Sequence, residues 1–233
     1  VDAIFRLTKT MNYKKIDIKF DQSSPSVQYP SFRMTPFNSQ NTLFHYKAFW
    51  SLYLPTTVSF RLTDIWRSYW AQRLMWLLGD TITFFGPNAY QLRNVHSYLK
   101  DFEEEKAMYS KTKDLVDFLF DWRCLKTRFF ECVLDLSHEM AKGDFWKYEE
   151  FVAIKNWLDD LRKINYAEPK ILDNSKNLNK KDSCGSEEFR NISQVCDFII
   201  LFYYDLKIQS NLGSARVSTQ RGQSSYFFFV TRN

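Results

Sequence analysis

The run Phe60-Arg-Leu-Thr-Asp-Ile-Trp-Arg-Ser-Tyr-Trp-Ala-Gln-Arg73 sets one carboxylate among three guanidinium groups and two indoles. Asp64 falls where a strand is expected to pass into a helix. The helix dipole and the free N–H groups of a first turn favour its ionised form there. An ionised carboxylate in that position can accept a proton or a hydrogen bond from an acceptor hydroxyl. Arg61 and Arg67 flank it and could hold diphosphate oxygens through bidentate guanidinium forks. Trp66 and Trp70 could lay aromatic faces against sugar C–H groups. The same residues also have an ordinary reading. Asp in a first turn is common helix chemistry, and Trp at four-residue spacing usually packs a core.

Two further polar clusters accompany this run. Asn38, Gln40 and Asn41 lie between Pro36-Phe37 and Leu43-Phe44, and amides carry the paired donors and acceptors that suit sugar hydroxyls. A turn with a helix cap explains them equally well. Phe85-Gly-Pro-Asn88 is followed by Gln91, Arg93, Asn94 and His96. There Asn88 is a candidate ligand contact and His96 a weak candidate metal or phosphate ligand, although a lone His is more often structural. Glu103-Glu-Glu105 reads as a solvated helix face. His45 and His138 have no partner at metal-site spacing. Strict Asp-x-Asp, Gly-x-Gly-x-x-Gly, a Walker-type loop and Gly-x-Ser-x-Gly are all absent from the sequence. That argues against a nucleotide phosphate loop or a serine hydrolase within these residues.

The elements that must position these side chains are mixed. Residues 1–8 and 14–20 read as short strands, the second by strict alternation of Ile16, Ile18 and Phe20 with Asp17 and Lys19. Residues 21–37 carry three prolines and read as an extended loop. A helix is expected over Leu43–Leu54 and stopped by Pro55. A strand is expected over Thr57–Leu62, with Thr63 as the cap of a helix over Asp64–Leu78 that Gly79 closes. Thr81–Phe85 reads as another strand. From Tyr98 the period is helical: Leu115, Leu119, Trp122, Phe129, Val133, Leu136 and Met140 trace one stripe, and Asp144 is expected to cap the next helix. Residues 173–191 are a polar linker by composition. Gln194–Ile208 is a short apolar segment, and the stretch after Ser210 is mostly polar apart from Phe227–Phe229.

Composition narrows the class. The 233 residues are 45% hydrophobic and 25% charged, which excludes a disordered or collagen-like chain, and aromatics stand out at 18%. The first hundred residues carry 12 Lys/Arg against 5 Asp/Glu, an excess that could draw phosphate-bearing ligands or simply be a solvated basic surface. No basic block is dense enough to argue for nucleic acid. The four cysteines form no Cys-x-x-Cys. On one continuous helix Cys124 and Cys132 would stand about 12 Å apart, too far to bridge. Asn191-Ile-Ser193 is a glycosylation sequon that often occurs by chance. No signal peptide is visible, and the longest apolar run near the end, Phe198–Tyr204, is far too short to span a bilayer. The chain opens on Val-Asp-Ala inside an expected strand, and a fragment is expected. The fold class is therefore α/β, with 1–100 mixed, 101–172 helical and 173–233 a polar linker and tail.

VDAIFRLT (1–8), Phe20-Asp21, PFNSQNTLF (36–44), AFWSLYLPTTVSFR (48–61), TDIWRSYWAQRLMW (63–76) and FFGPNAYQLRNVHSYLKDFEEE (84–105) resemble the STELLO-type glycosyltransferases, a family shared by plants and nematodes. The resemblance covers roughly residues 1–165. Residues from about 173 onward resemble no family. It implies a GT-A-like nucleotide-sugar transferase domain, here the acceptor-side half (1–100) followed by a helical segment. It also implies Golgi or secretory residence with a membrane anchor upstream. A more distant likeness to reversibly glycosylated plant proteins rests on Asp64 and Trp66, here separated by Ile65.

The expected activity is transfer of a sugar from a nucleotide sugar to a glycan or protein acceptor. Asp64 is the expected base or acceptor-orienting group. Arg61, Arg67 and Arg73 are expected on the diphosphate, and Asn38, Gln40, Asn41, Trp66, Trp70 and Asn88 near the sugars. Mn²⁺ or Mg²⁺ would be held mainly by carboxylates upstream, with His96 as a possible last ligand. The chain alone would then be inactive. The alternative is a non-catalytic scaffold of the same fold that binds a partner enzyme in the secretory pathway through its aromatic surplus and the helices of 101–165.

Overall fold

A helix with almost no polar face forms the centre of the molecule. In the computed structural model this is α1, Thr63–Leu78, and every residue from Ile65 to Leu78 is buried. A helix that is covered on all sides must be surrounded, and here a sheet, an extended loop and a helical bundle surround it. The structure describes residues 23, 25–91, 97–172, 223–225 and 228–232. The expected strands at 1–8 and 14–20, His96, Cys184, Cys196, the sequon, the linker 173–191 and the segment 194–208 lie outside the described residues.

The strands are β1 (Val27–Tyr29), β2 (Thr42–Leu43), β3 (Asp80–Phe84), β4 (Ala89–Gln91), β5 (Gln223–Ser225) and β6 (Phe228–Arg232). One sheet has the order β1-β3-β6-β2. β3 is antiparallel to both neighbours, with Ile82 opposite Tyr29 on one side and Val230 on the other, and β2 runs parallel to β6. β4 and β5 form a separate antiparallel pair. Among the described residues the helices after β4 are α2 (Tyr98–Glu104), α3 (Lys106–Asp121), α4 (Phe129–Lys142) and α5 (Tyr148–Lys163). The fold is thus mixed helix and strand, as expected. The tail, read as mostly polar, supplies β6 inside the main sheet. The loop 21–37 contributes β1 to its edge.

α1 turns into β3 through Gly79, whose φ of 71° is left-handed. A Cβ there would also come within 2.5 Å of Leu172 Cδ1, and Leu172 N–H bonds Leu77 O at 3.0 Å. The core runs from α1 into the bundle without a break. Trp50 packs edge-on against Trp70 and Phe129, with ring centres 5.7 and 4.8 Å apart, and Trp70 meets Trp146. Trp70 Nε1 donates to Ser137 Oγ at 3.2 Å, Trp146 Nε1 to Ser137 O at 2.9 Å and Trp66 Nε1 to Phe145 O at 3.0 Å. Six of the seven tryptophans are buried, and Trp157 packs against the same cluster. The aromatic surplus therefore builds the interior.

Several local expectations are corrected. The helix expected over Leu43–Leu54 is a shorter 3₁₀ segment, Tyr46–Leu52, capped by His45. The strand expected over Thr57–Leu62 does not form. The N–H groups of Thr56 and Thr57 donate to the Glu150 carboxylate rather than to a neighbouring strand, and Phe60–Leu62 is one 3₁₀ turn leading into α1. Thr63 is the first helical residue rather than the cap, and its hydroxyl bonds Phe60 O. Asp144 caps nothing. It sits at φ 56° and pairs with Lys111 at 2.7 Å, while α5 starts at Tyr148. The stripe from Leu115 to Met140 is broken between Asp121 and Phe129. Arg73 draws the carbonyls of Leu119 and Trp122 toward α1, and Trp122 turns extended. The break brings the Cα atoms of Cys124 and Cys132 to 5.5 Å and the pair forms a disulfide, contrary to the continuous-helix expectation.

Candidate functional site

The loop 38–42 folds over the first turn of α1 because its own side chains close it. Asn38 Oδ1 accepts from Gln40 N–H at 3.1 Å, a local turn of the kind asparagine favours, and Thr42 Oγ1 donates to Asn38 O at 2.6 Å. Asn41 Nδ2 donates to Asn88 Oδ1 at 2.9 Å, which ties the loop to the segment after β3. At the base of the loop Ser39 is gripped twice. Its N–H donates to Asp64 Oδ2 at 3.1 Å, and its Oγ accepts from Arg67 Nη2 at 2.6 Å. Asn38 and Asn41 are half-buried, and Ser39 and Gln40 are exposed.

Asp64 and Arg67 share one helical turn with opposite charge. Burial pushes the Asp64 carboxyl above the usual carboxylate value, and the Ser39 N–H and the Arg67 charge pull only partly the other way. Arg67 is 2% exposed. Its guanidinium lies 5.3 and 4.8 Å from the ring centres of Phe37 and Phe44 and reaches Ser51 O at 3.4 Å. Burial pushes its pKa down to about 10, with Asp64 opposing, so it stays charged at neutral pH. The result is a half-buried carboxylate held over a buried cation, beside a rim of amides and one exposed serine. Such a carboxylate can orient or deprotonate a hydroxyl that arrives at the rim.

Of the expected site residues the structure gathers Asp64, Arg67, Asn38, Gln40, Asn41 and Asn88. It does not gather Trp66, Trp70, Arg73 or Arg61. Trp66 and Trp70 are each 1% exposed and present no face to a sugar, because α1 buries them against the bundle. Arg73 is buried on the far side of the helix. Its Nε and Nη2 donate to Leu119 O at 2.8 Å and Trp122 O at 2.6 Å, and it lies 4.8 Å over the Trp122 ring, so no diphosphate reaches it. Arg61 turns to α2 instead. It pairs with Asp101, with Glu104 at 3.4 Å and with Glu105 at 3.6 Å, three carboxylates that would repel a phosphate. That also corrects the solvated reading of 103–105, since Glu105 is fully buried. Of the three arginines only Arg67 joins the site, and it does so through Ser39.

Sequence reasoning missed two residues. Ser39 lay inside the amide cluster without a charge to mark it. Glu150 is fully buried near the start of α5, where its carboxylate accepts from Tyr53 Oη, from Thr56 N–H at 2.6 Å and from Thr57 N–H. The glutamate raises the Tyr53 phenol further above its usual value, which burial has already raised. Two adjacent acids, Glu149 and Glu150, gave no sign of which one faces inward. Among the described residues no group of three His, Cys, Asp or Glu side chains is placed to hold a metal ion. Those residues therefore do not fit a divalent-ion site. No described helix is long and apolar enough to cross a membrane.

A profile of the STELLO glycosyltransferases matches residues 61–227 of this chain. The chain belongs to the STELLO glycosyltransferase family. It is 40% identical over 172 residues to "Probable glycosyltransferase STELLO1" of Arabidopsis thaliana and 39% identical over the same length to "Probable glycosyltransferase STELLO2". Each match covers 74% of this chain and 22% of the relative, so the chain spans about a fifth of the length of these proteins. No solved structure matches. The family match extends through residue 227, well past the limit near 165 read from the sequence. Residues 173–227 thus fall within the span of the family match.

Proposed function

We propose that this STELLO segment contributes the acceptor side of a transfer site, in a protein that moves a sugar from a nucleotide sugar to a glycan or protein acceptor. The observation that carries the proposal is Asp64: a half-buried carboxylate of raised pKa at a helix start, beside amides and a hydroxyl, in a chain of a glycosyltransferase family. Asp64 accepts a hydrogen bond, and at the moment of transfer a proton, from the acceptor hydroxyl. Asn38, Gln40, Asn41 and Asn88 bond the remaining sugar hydroxyls. Arg67 holds Ser39 in place and keeps positive charge beneath the loop. The remainder of a GT-A-like domain, with the donor diphosphate and the carboxylates for Mn²⁺ or Mg²⁺, belongs to parts of the protein outside the described residues. Golgi or secretory residence fits the Cys124–Cys132 disulfide, since such bonds persist in oxidising compartments.

Calorimetric titration of the complete protein with nucleoside diphosphates and Mn²⁺ tests the reading. Saturable binding is expected. A flat titration would favour the family member as a non-catalytic scaffold for a partner enzyme.

A further inference from the structure

The guanidinium of Arg67 grips the loop 38–42 at both ends and in the middle. Phe37 and Phe44 bracket the loop with ring centres 6.2 Å apart, and the guanidinium lies 5.3 and 4.8 Å from them. Between them its Nη2 donates to Ser39 Oγ at 2.6 Å, while Nη1 reaches back to Ser51 O at 3.4 Å. Buried among these partners, the cation is a fixed anchor. Ser39 passes that anchor on. The residue that takes Arg67 at its hydroxyl gives its N–H to Asp64 Oδ2 at 3.1 Å. Two hydrogen bonds thus run from a buried guanidinium, through one residue, to the carboxylate. Ser39 is itself exposed, so packing does not hold its N–H on Asp64; the hydroxyl does. Among the influences that oppose burial of the carboxylate, this N–H is the largest, ahead of the Arg67 charge and of the N–H groups of Ile65 and Asp64 itself. Residues 38–42 across from Asp64 carry no charge, and Arg61 before it faces Asp101, Glu104 and Glu105 instead.

We propose that Ser39 is a positioning residue: its hydroxyl, taken by Arg67, keeps its N–H on Asp64 and so fixes the carboxylate at the rim. An amide N–H bonded to a carboxylate favours the ionised form, which is the form that can take a proton from a hydroxyl. Without the Ser39 hydroxyl the loop lifts from Arg67, the N–H leaves Asp64, and burial acts on the carboxylate with its strongest opponent gone. The inference rests on the transfer reading of Asp64 and adds the residue that readies this base.

Carbon-13 NMR of carboxyl-labelled aspartate in the complete protein tests it, with the Asp64 signal assigned by its loss in Asp64→Asn. Ser39→Ala is expected to raise the midpoint of the Asp64 titration by about half a pH unit or more, and Ser39→Thr, which keeps the hydroxyl, to leave it at the wild-type position. Ser39→Gly removes the hydroxyl by a second route and is expected to follow alanine. An unchanged midpoint in the alanine and glycine variants overturns the inference. So does a midpoint that falls, as it would if the released guanidinium turned directly onto the carboxylate, and so does a threonine variant that shifts as far as alanine. Transfer of a radiolabelled nucleotide sugar reports separately on the transfer reading. The acid limb of its pH profile is expected to move up with the midpoint in Ser39→Ala. If the midpoint moves while that limb stays in place, the tie through Ser39 stands and the transfer reading of Asp64 fails.

Discussion

Arg67 and Arg73 sit six residues apart on one helix, and burial pushes both down to about 10. Their surroundings differ completely. Arg67 at the N-terminal end meets a carboxylate, a serine on an exposed loop and two phenyl rings. Arg73 at the C-terminal end meets only carbonyls of the α3–α4 corner and two indole rings, with Arg123 nearby as a like charge. One end of α1 thus connects to the surface and can carry chemistry, whereas the other end staples the bundle. A buried arginine is not a site by its charge alone; its partners decide.

The contrast can be broken most forcefully at the stapled end. Arg73→Ala leaves two buried carbonyls without donors and removes a cation from two ring faces, so a loss of about 4 kcal/mol is expected in urea unfolding. A loss under about 1 kcal/mol would mean the corner stands without it. Glu150→Ala is expected to cost about 3 kcal/mol, because the N–H groups of Thr56 and Thr57 lose their acceptor. Hydrogen exchange should then accelerate at those two amides more than in α4. Arg67→Ala is expected to cost about 2 kcal/mol, less than Arg73→Ala, since Ser39 is exposed and water can replace the donor. A larger loss at Arg67 than at Arg73 would reverse the comparison.

The smallest effect concerns pH. The folded pKa of Asp64 is raised above its unfolded value. Its contribution to stability is therefore full below the unfolded value and is lost as pH rises through the folded one. Asp64→Asn should flatten that part of the pH–stability curve while changing stability at neutral pH by less than about 1 kcal/mol. A wild-type curve that rises with pH across the same window, and loses that rise in the variant, would contradict the sign.

Much of α1 and its neighbours was legible in the sequence. An indole-rich stretch, a closing glycine and a β-branched run fixed Asp64–Leu78, Gly79 and most of β3. The bundle helices followed from apolar spacing. What failed had a common cause, namely that side chains distant in sequence took over backbone groups. Glu150, about ninety residues away, claims the amides that Thr57–Leu62 would have offered to a sheet. Arg73 claims the carbonyls where one long helix was expected to continue, and so made the Cys124–Cys132 bond possible. β6 was missed because its partner strand lies about 150 residues earlier in the chain. Within the candidate site, the loop and the carboxylate were readable from local chemistry. Local spacing did not show that Trp66 and Trp70 are sealed away from the site, because a helix buried on all sides has no polar face to tell inner aromatics from outer ones.

Turnover of a radiolabelled nucleotide sugar by the complete protein, wild type against Asp64→Asn, bears most directly on the role assigned to the α1 carboxylate. The expected result is transfer reduced at least about 100-fold in a variant that melts as the wild type does, as loss of a general base requires. Undiminished transfer by that folded variant would contradict it.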